Sequence, residues 1–380
     1  MQKLLFILVL ILTALQIYGQ DHTDLNFQSF PSLYKDVEEV KAEQLNFRFE
    51  SMGFFWNNEF KSDLVKGYTL TGAYLRPKLT YAPFDDLYLE VGAHLLNYNG
   101  MDHIATAVPW FSARYRFTKN FSVVTGNLDQ TDQHGLKEQL WEPERIYTDK
   151  PEAGLQFMYA SKKLQAQTWV SWEQFIQQND PYQEHFTYGL TGNYRVVNNS
   201  ELMVKLPVQV LFYHQGGEIN SDPGSGRPRV QTHANFSAGY EMGLNLGEKL
   251  KTINLNGYWY GYDAVTKDSN TLPYRNGHAF LIETTAKTKH SQVSLAYWNA
   301  YQFLAPKGRY LYQSASYTNP VVTNPDRSML TLKYFWQKNI GKDARVAFQA
   351  DSYLDLMTRD LSYSYGFFLI LNSDFLLKKF

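Results

Sequence analysis

The sequence predicts an all-β fold: a closed transmembrane antiparallel β-barrel of about sixteen strands, with fourteen or eighteen as alternatives. Three observations predict it. The first is strict alternation over spans longer than an ordinary globular strand. In Val230, Thr232, Ala234, Phe236, Ala238, Tyr240, Met242 and Leu244 every second residue is apolar or small, and the intervening residues, Gln231 to Asn245, are polar or glycine. Successive strand side chains point to opposite faces, so one face is greasy and the other wet. The second is that short and long connections take turns, as in the hairpins of a membrane barrel. The third is composition. Aromatics make up 16% of the chain, with 28 Tyr, 25 Phe and 8 Trp, yet the mean hydropathy is a polar -0.40. Barrels need aromatic girdles at both interfaces but only half of each strand apolar.

The elements follow in chain order. Residues 1–20 carry Lys3 and an apolar run from Leu4 to Leu15, the pattern of a secretory signal peptide and too short to span a bilayer. Residues 21–44 are polar and charged and read as a periplasmic N-terminal tail. The barrel is expected over 45–380, with strands near 45–56, 68–82, 86–98, 105–117, 121–128, 152–161, 163–176 and 184–197. The remaining eight fall near 200–214, 229–246, 250–262, 277–288, 291–303, 328–338, 343–356 and 362–380. Short turns such as Pro83-Phe84-Asp85 and Thr118-Lys119-Asn120 alternate with long connections, among them 57–66, 129–150, 216–228 and 305–327. The last connection, 358–361, is short where the order calls for a long one. An even strand number puts both chain ends in the periplasm. The terminal Phe380, closing an aromatic strand, fits recognition by outer-membrane assembly machinery.

No cysteine is present, so neither a disulfide nor a lipid-bearing cysteine follows the leader; closure of the sheet supplies the stability instead. The formal net charge of -1 suggests no nucleic-acid partner. A β-propeller would need a recurring blade motif every 40–50 residues or so, and none is found.

Basic charges on the lipid face near the midplane cost about 2–4 kcal/mol, which fixes strand parity. Arg76, Lys78, Arg114 and Arg116 therefore point inward, with Trp110 beside them, and Glu90, Trp169, Glu173 and Asp351 line other parts of the wall. These nine are the candidate lumen residues. Opposed basic and acidic rows would set solute selectivity across a pore; alternatively the charges pair and fill a blocked lumen. Inward aromatics alternating with amides and acids also suit sugar rings.

No nucleophile and base stand in a recognisable motif. His290 and Ser291 face opposite sides of a strand, and His185 shares a face with Thr187, but an internal Thr is a poor nucleophile. Asp129, Asp132 and His134 read as a solvated loop, and the run from Tyr262 to Asp268 lacks the carboxylate density of a calcium loop. The expectation is therefore no cofactor, no metal and no enzyme. It is an outer-membrane, porin-like channel for small polar solutes. The rival is a non-conducting accessory or scaffold subunit of a surface complex, anchored by Trp141, Tyr147, Tyr310 and Tyr312 in the longest loops. Outer-membrane lipid and other outer-membrane proteins are the expected partners.

The segment Gly126 to Phe157 (GNLDQTDQHGLKEQLWEPERIYTDKPEAGLQF) resembles a loop of uncharacterised, porin-like outer-membrane barrels of Bacteroidetes. Phe54-Phe55-Trp56-Asn57-Asn58-Glu59, the strand from Gly72 to Pro77 and Trp172-Glu173-Gln174-Phe175 extend the likeness. The resemblance implies fold and location and carries no catalytic residues.

Overall fold

Sixteen strands follow one another in antiparallel order, and the last pairs with the first to close a barrel. The computed structural model describes residues 41–380 except 131–132, 178–179, 181, 217–229, 248–249, 267–271 and 317. The expected signal peptide and most of the tail lie outside the described residues.

The first wall segment is β1 (Gln44–Lys61), β2 (Lys66–Phe84), β3 (Leu87–Tyr98), β4 (Thr106–Thr118) and β5 (Phe121–Asn127). A long connection follows, with a 3-10 turn at Gln133–Gly135 and a single helical turn, α1 (Arg145–Thr148). Next come β6 (Ala153–Ala160), β7 (Leu164–Gln174), β8 (His185–Asn198), β9 (Leu202–Gln215), β10 (Gln231–Asn245) and β11 (Thr252–Ala264). β12 (Asn276–Lys287), β13 (Ser291–Tyr301), β14 (Asp326–Asn339), β15 (Ala344–Asp355) and β16 (Leu361–Lys379) complete the ring. Closure is the pairing of β1 with β16, from Gln44 opposite Lys379 to Glu59 opposite Tyr363. Lipid offers backbone groups no partners, so the sheet must close on itself. Leu79, Val91, Phe111, Ile282, Leu295, Leu332 and Phe367 are exposed on the outer face, a belt that makes sense only against hydrocarbon.

The first connection differs from expectation. β1 and β2 run past the expected loop at 57–66 and are joined by residues 62–65 alone. Asn57 still pairs with Thr69 and Asn58 with Tyr68. Polar residues imitate a loop there because a strand standing at the barrel rim needs no apolar face.

Two connections fold into the lumen. From 128–152, Leu136, Leu140, Trp141 and Tyr147 are buried; from 302–325, Phe303, Leu304, Leu311 and Tyr312 are buried. Backbone bonds tie the two together, Glu142 N to Lys307 O at 2.7 Å and Arg309 N to Glu138 O at 2.8 Å. Gly308 permits this approach, since a Cβ there would stand 2.1 Å from the Gln139 carbonyl oxygen. Trp141, Tyr147 and Tyr312, expected as outward interface anchors, are therefore consumed inside the barrel. A ring of sixteen strands is too wide for wall side chains alone to fill, and these aromatics fill it.

Candidate functional site: a cavity in a low stretch of wall

The wall is not of even height. β1, β2 and β16 have 18, 19 and 19 residues, whereas β5 has 7 and β6 has 8. Pairing of β4 with β5 stops at Ser112 opposite Gly126. β4 continues to Thr106 with β3 alone beside it, roughly 20 Å of further strand at about 3.3 Å per residue. Asn127 seals the end of β5 to β4: its side-chain oxygen accepts from Phe111 N and its carbonyl from Ser112 Oγ, both at 2.8 Å. On the far side Gly154 of β6 faces Ser171. β7 then runs on to Gln174 through an irregularity in its register with β8 between Trp172 and Gln174.

A cavity of about 450 Å³ occupies this notch. Asn127 and Ala153 form its floor, Val108 and Pro109 one side, Ser171, Trp172, Glu173 and His185 the other, and Trp141, Arg145 and Glu152 its inner face. Three features mark it as a site. Ser171 Oγ and Glu152 Oε1 are buried with no hydrogen-bond partner, which is costly unless something supplies one. The His185 ring makes no hydrogen bond among the described residues and meets the Tyr213 ring edge-on at 6.1 Å. Cations stand close by. Arg145 pairs with Asp149 at 2.5 Å and lies over the Trp141 ring, and Lys307 pairs with Glu173.

Fixed charges tune these groups. Burial pushes the Glu152 carboxyl up, but His134, whose Nε2 lies 2.8 Å away, and Gln130 overcome it and hold the group below the usual carboxylate range. Burial, then repulsion from Arg145, pushes the Lys307 ammonium down to about 8 despite Glu173. Glu173 also accepts from Thr187 Oγ1 at 2.6 Å.

The outer surface of the same corner carries a second histidine. Thr232 Oγ1 lies 2.8 Å from His214 Nδ1, the His214 ring stacks on Phe186 at 4.7 Å, and Trp172 donates to Glu184 at 3.1 Å.

The residues singled out in the sequence fall into three groups. Arg76, Lys78, Glu90 and Trp110 form a buried cluster on β2–β4. Arg76 donates to His94 at 2.9 Å and covers the Tyr74 and Trp110 rings; Lys78 sits 2.7 Å from Glu50 and 3.3 Å from Glu90; Trp110 donates to Glu90 at 2.8 Å. Arg114 pairs with Asp129, and Arg116 lines a separate cavity toward the short turns. Glu173 lies in the notch, with Trp169 just below it. Asp351 belongs to a hub around Arg309, 3.3 Å away, which also holds Glu142 at 2.9 Å and Tyr353. Sequence reasoning missed His185 as a site residue, together with Ser171, Arg145, Glu144 and Arg309. Glu144 accepts from Tyr68 at 2.6 Å and Trp56 at 2.8 Å; burial, then the Glu142 charge, pushes its carboxyl up to about 7. No local motif joins these positions, because apart from the adjacent Glu144 and Arg145 they come from different strands and connections.

Among the described residues no group of three or more His, Asp or Glu is arranged to hold a metal ion.

Fold, lipid-facing belt and lumen define an outer-membrane β-barrel. Solved structures agree on the fold. OprD of Pseudomonas aeruginosa is 7% identical, with TM-score 0.51 over 90% of this chain and 96% of its own. A loop-L8 deletion mutant of OmpT, an outer-membrane protein of Vibrio cholerae, is 11% identical, with TM-score 0.51 over 86% and 99%. In-vitro folded OmpT of the same organism is 10% identical, with TM-score 0.50 over 89% and 100%. No curated protein matches the sequence. The Lipid A 3'-O-deacylase-type family profile matches residues 37–380, and the chain belongs to that family. Membership corrects the expectation of a non-enzymatic barrel, because the family is described by deacylation. The absence of a local nucleophile–base motif misled: in a barrel, such partners meet across strands.

Proposed function

We propose that this barrel hydrolyses an acyl ester of a lipid A-type glycolipid taken sideways from the outer leaflet through the low wall at β5 and β6. The carrying observation is the cavity in that notch, lined by His185, whose ring makes no hydrogen bond among the described residues. Ester bonds of such a lipid lie between sugar headgroup and hydrocarbon, so the chemistry has to face the interface rather than a sealed lumen. On this reading the long connections stand outside the cell and both termini in the periplasm. His185 draws a proton from water, and the water oxygen adds to the ester carbonyl. The oxyanion develops beside Arg145. Collapse breaks the bond to the sugar oxygen, which leaves as an alkoxide and takes from His185 the proton drawn from water, and the fatty acid is freed. Ser171 and Glu152 offer unpartnered polar atoms to sugar hydroxyls, and Trp141 and Trp172 offer ring faces.

The hydrogen bond between Thr232 and His214 supports a second placement, on the outer wall, with Thr232 as nucleophile. Fatty-acid release from lipid A vesicles, read by mass spectrometry, separates the two. On the first placement His185→Gln lowers the rate about 10²–10⁴-fold and His214→Gln leaves it near wild type. The reverse result moves the chemistry to the outer wall. No release by folded wild-type protein overturns the esterase reading. An open pore for small polar solutes finds no support in the two connections that fill the lumen.

A further inference from the structure

A second cavity, of about 530 Å³, opens toward the short turns and lies on the same wall as the notch, beneath it. Its lining includes Arg116, Ser122, Gln165, Gln167, Thr191 and Asn193. Each strand from β5 to β8 contributes to both cavities, and a single inward side chain separates the two sets on each strand, with an inward glycine beside it on β5 (Gly126), β6 (Gly154) and β8 (Gly189, next to Thr187). On β5, Asn127 lines the upper cavity and Ser122 the lower, with Val124 between them; on β6, Gln156 stands between Ala153 and Met158. On β7, Trp169 stands between Ser171 and Gln167. From the inner side, His134 stands between Gln133, which lines the upper cavity, and Gly135, which lines the lower. Val124, Gln156, Trp169 and His134 are at most 1% exposed.

We propose that the two cavities are halves of one polar path across the barrel, closed by this single layer of side chains, and that the path admits small hydrogen-bonding solutes. The proposal does not depend on the esterase reading. The closure joins two apolar members, Val124 and Trp169, to two hydrogen-bonded polar ones, His134 and Gln156. The His134 ring stacks on Trp169 at 3.9 Å, and its nitrogens meet Glu152 at 2.8 Å and Gln167 at 3.2 Å. Gln156 donates to Gln167 at 2.7 Å and to the Asp129 carbonyl at 3.2 Å. These amide and imidazole bonds are ones that water or a solute can replace, unlike the aromatic packing elsewhere in the lumen. The Trp169 ring lies flat along the wall over Gly189, where a Cβ would meet it at 2.2 Å. The inner side of the closure is held in left-handed backbone at Gln133 (φ 53) and His134 (φ 58). Non-glycine residues rarely adopt that conformation, and strain of this kind concentrates in segments that switch. Amides and hydroxyls line the lower half together with Arg116 and Lys119, and carboxylates with Arg145 line the upper among apolar groups such as Val108 and Ile146, so both halves present hydrogen-bonding groups.

The test is conductance of purified full-length protein in planar bilayers, with heat-modifiable gel migration establishing that each variant is folded. His134→Gly removes the ring and suits the left-handed backbone, so it is the variant least at risk of misfolding; Trp169→Ala and Gln156→Ala complete the set. At least one folded variant is expected to conduct about tenfold above wild type. The chain has no cysteine, so Asn193→Cys or Ser122→Cys marks the lower cavity uniquely. A bulky charged thiol reagent at that position is expected to block the added current. Lipid-background conductance in every folded variant of the set overturns the path. So does an added current that the thiol reagent leaves untouched, since the opening then lies elsewhere in the barrel.

Discussion

The lumen has two unlike sides. Against β11 to β15 it is filled by rings: Tyr260, Trp298, Phe303 and Tyr312 pack edge to face at 5.3–6.1 Å, with Tyr353 behind them. Against β5 to β8 the wall dips at β5 and β6, two cavities lie one above the other, and Ser171 Oγ and Glu152 Oε1 lack partners at the upper one. Such atoms carry an energetic penalty until a ligand or solute meets them, whereas close-packed rings gain dispersion and burial in the folded state alone. The ring-filled side stabilises the barrel, and the side that dips at β5 and β6 is where the proposed chemistry and passage would take place.

The largest effect expected from breaking this contrast comes from closing the notch. Ala153→Trp places an indole on the cavity floor at the head of β6, where Ala153 is only half-buried. Deacylation of vesicle-borne lipid A should fall by about 10²-fold or more, since small displacements in a reacting geometry cost that much, while heat-modifiable migration persists. On the filled side Trp298→Ala should do the opposite. Trp298 is fully buried and donates to the Tyr312 carbonyl at 3.1 Å. Its truncation should cost about 3–5 kcal/mol in urea unfolding from lipid micelles, with activity per folded molecule unchanged.

Alternation was legible from the sequence because lipid on one face and polar lumen on the other enforce a period of two along every strand. The inward direction of Arg76, Lys78 and Glu173 followed from the cost of charge in hydrocarbon. What the long connections do was not legible. Trp141, Tyr147 and Tyr312 look alike in sequence whether they fill a lumen or meet a partner. Arg309 finds Glu142 from one connection and Asp351 and Tyr353 from β15, positions 167, 42 and 44 residues away. The notch arises from the brevity of β5 and β6, which matters only once the heights of the neighbouring strands are known.

Glu144 sharpens the contrast through pH. Its carboxyl is raised from 4.5 to about 7 by burial and by Glu142. Between those values the folded protein keeps a proton that the unfolded chain has released, so this group's contribution to stability falls as pH rises through the window. Glu144→Gln removes that slope. The variant's urea midpoint relative to wild type should improve from pH 4.5 to 7 and level off above, by about 1–3 kcal/mol in all. A flat difference across that range would mean that Glu144 keeps its ordinary acidity in the barrel.

Arg114→Gln should have the smallest effect, and it asks whether the open side is held by charge. Arg114 pairs with Asp129, just before the connection enters the lumen, but its side chain keeps 31% of its exposure. An ion pair so open to water is worth at most about 1 kcal/mol. Asp129 is also anchored without Arg114: its backbone N–H donates to Gln156 Oε1 at 2.9 Å, and its carbonyl accepts from Gln156 Nε2 at 3.2 Å. Loss of the guanidinium should therefore leave the connection seated and deacylation unchanged, with a stability loss under about 1 kcal/mol that shrinks further as salt is added. A loss of several kcal/mol that salt does not reduce would show that the pair is shielded and that charge, rather than the amide contacts of Gln156, seats the connection on the side that dips at β5 and β6.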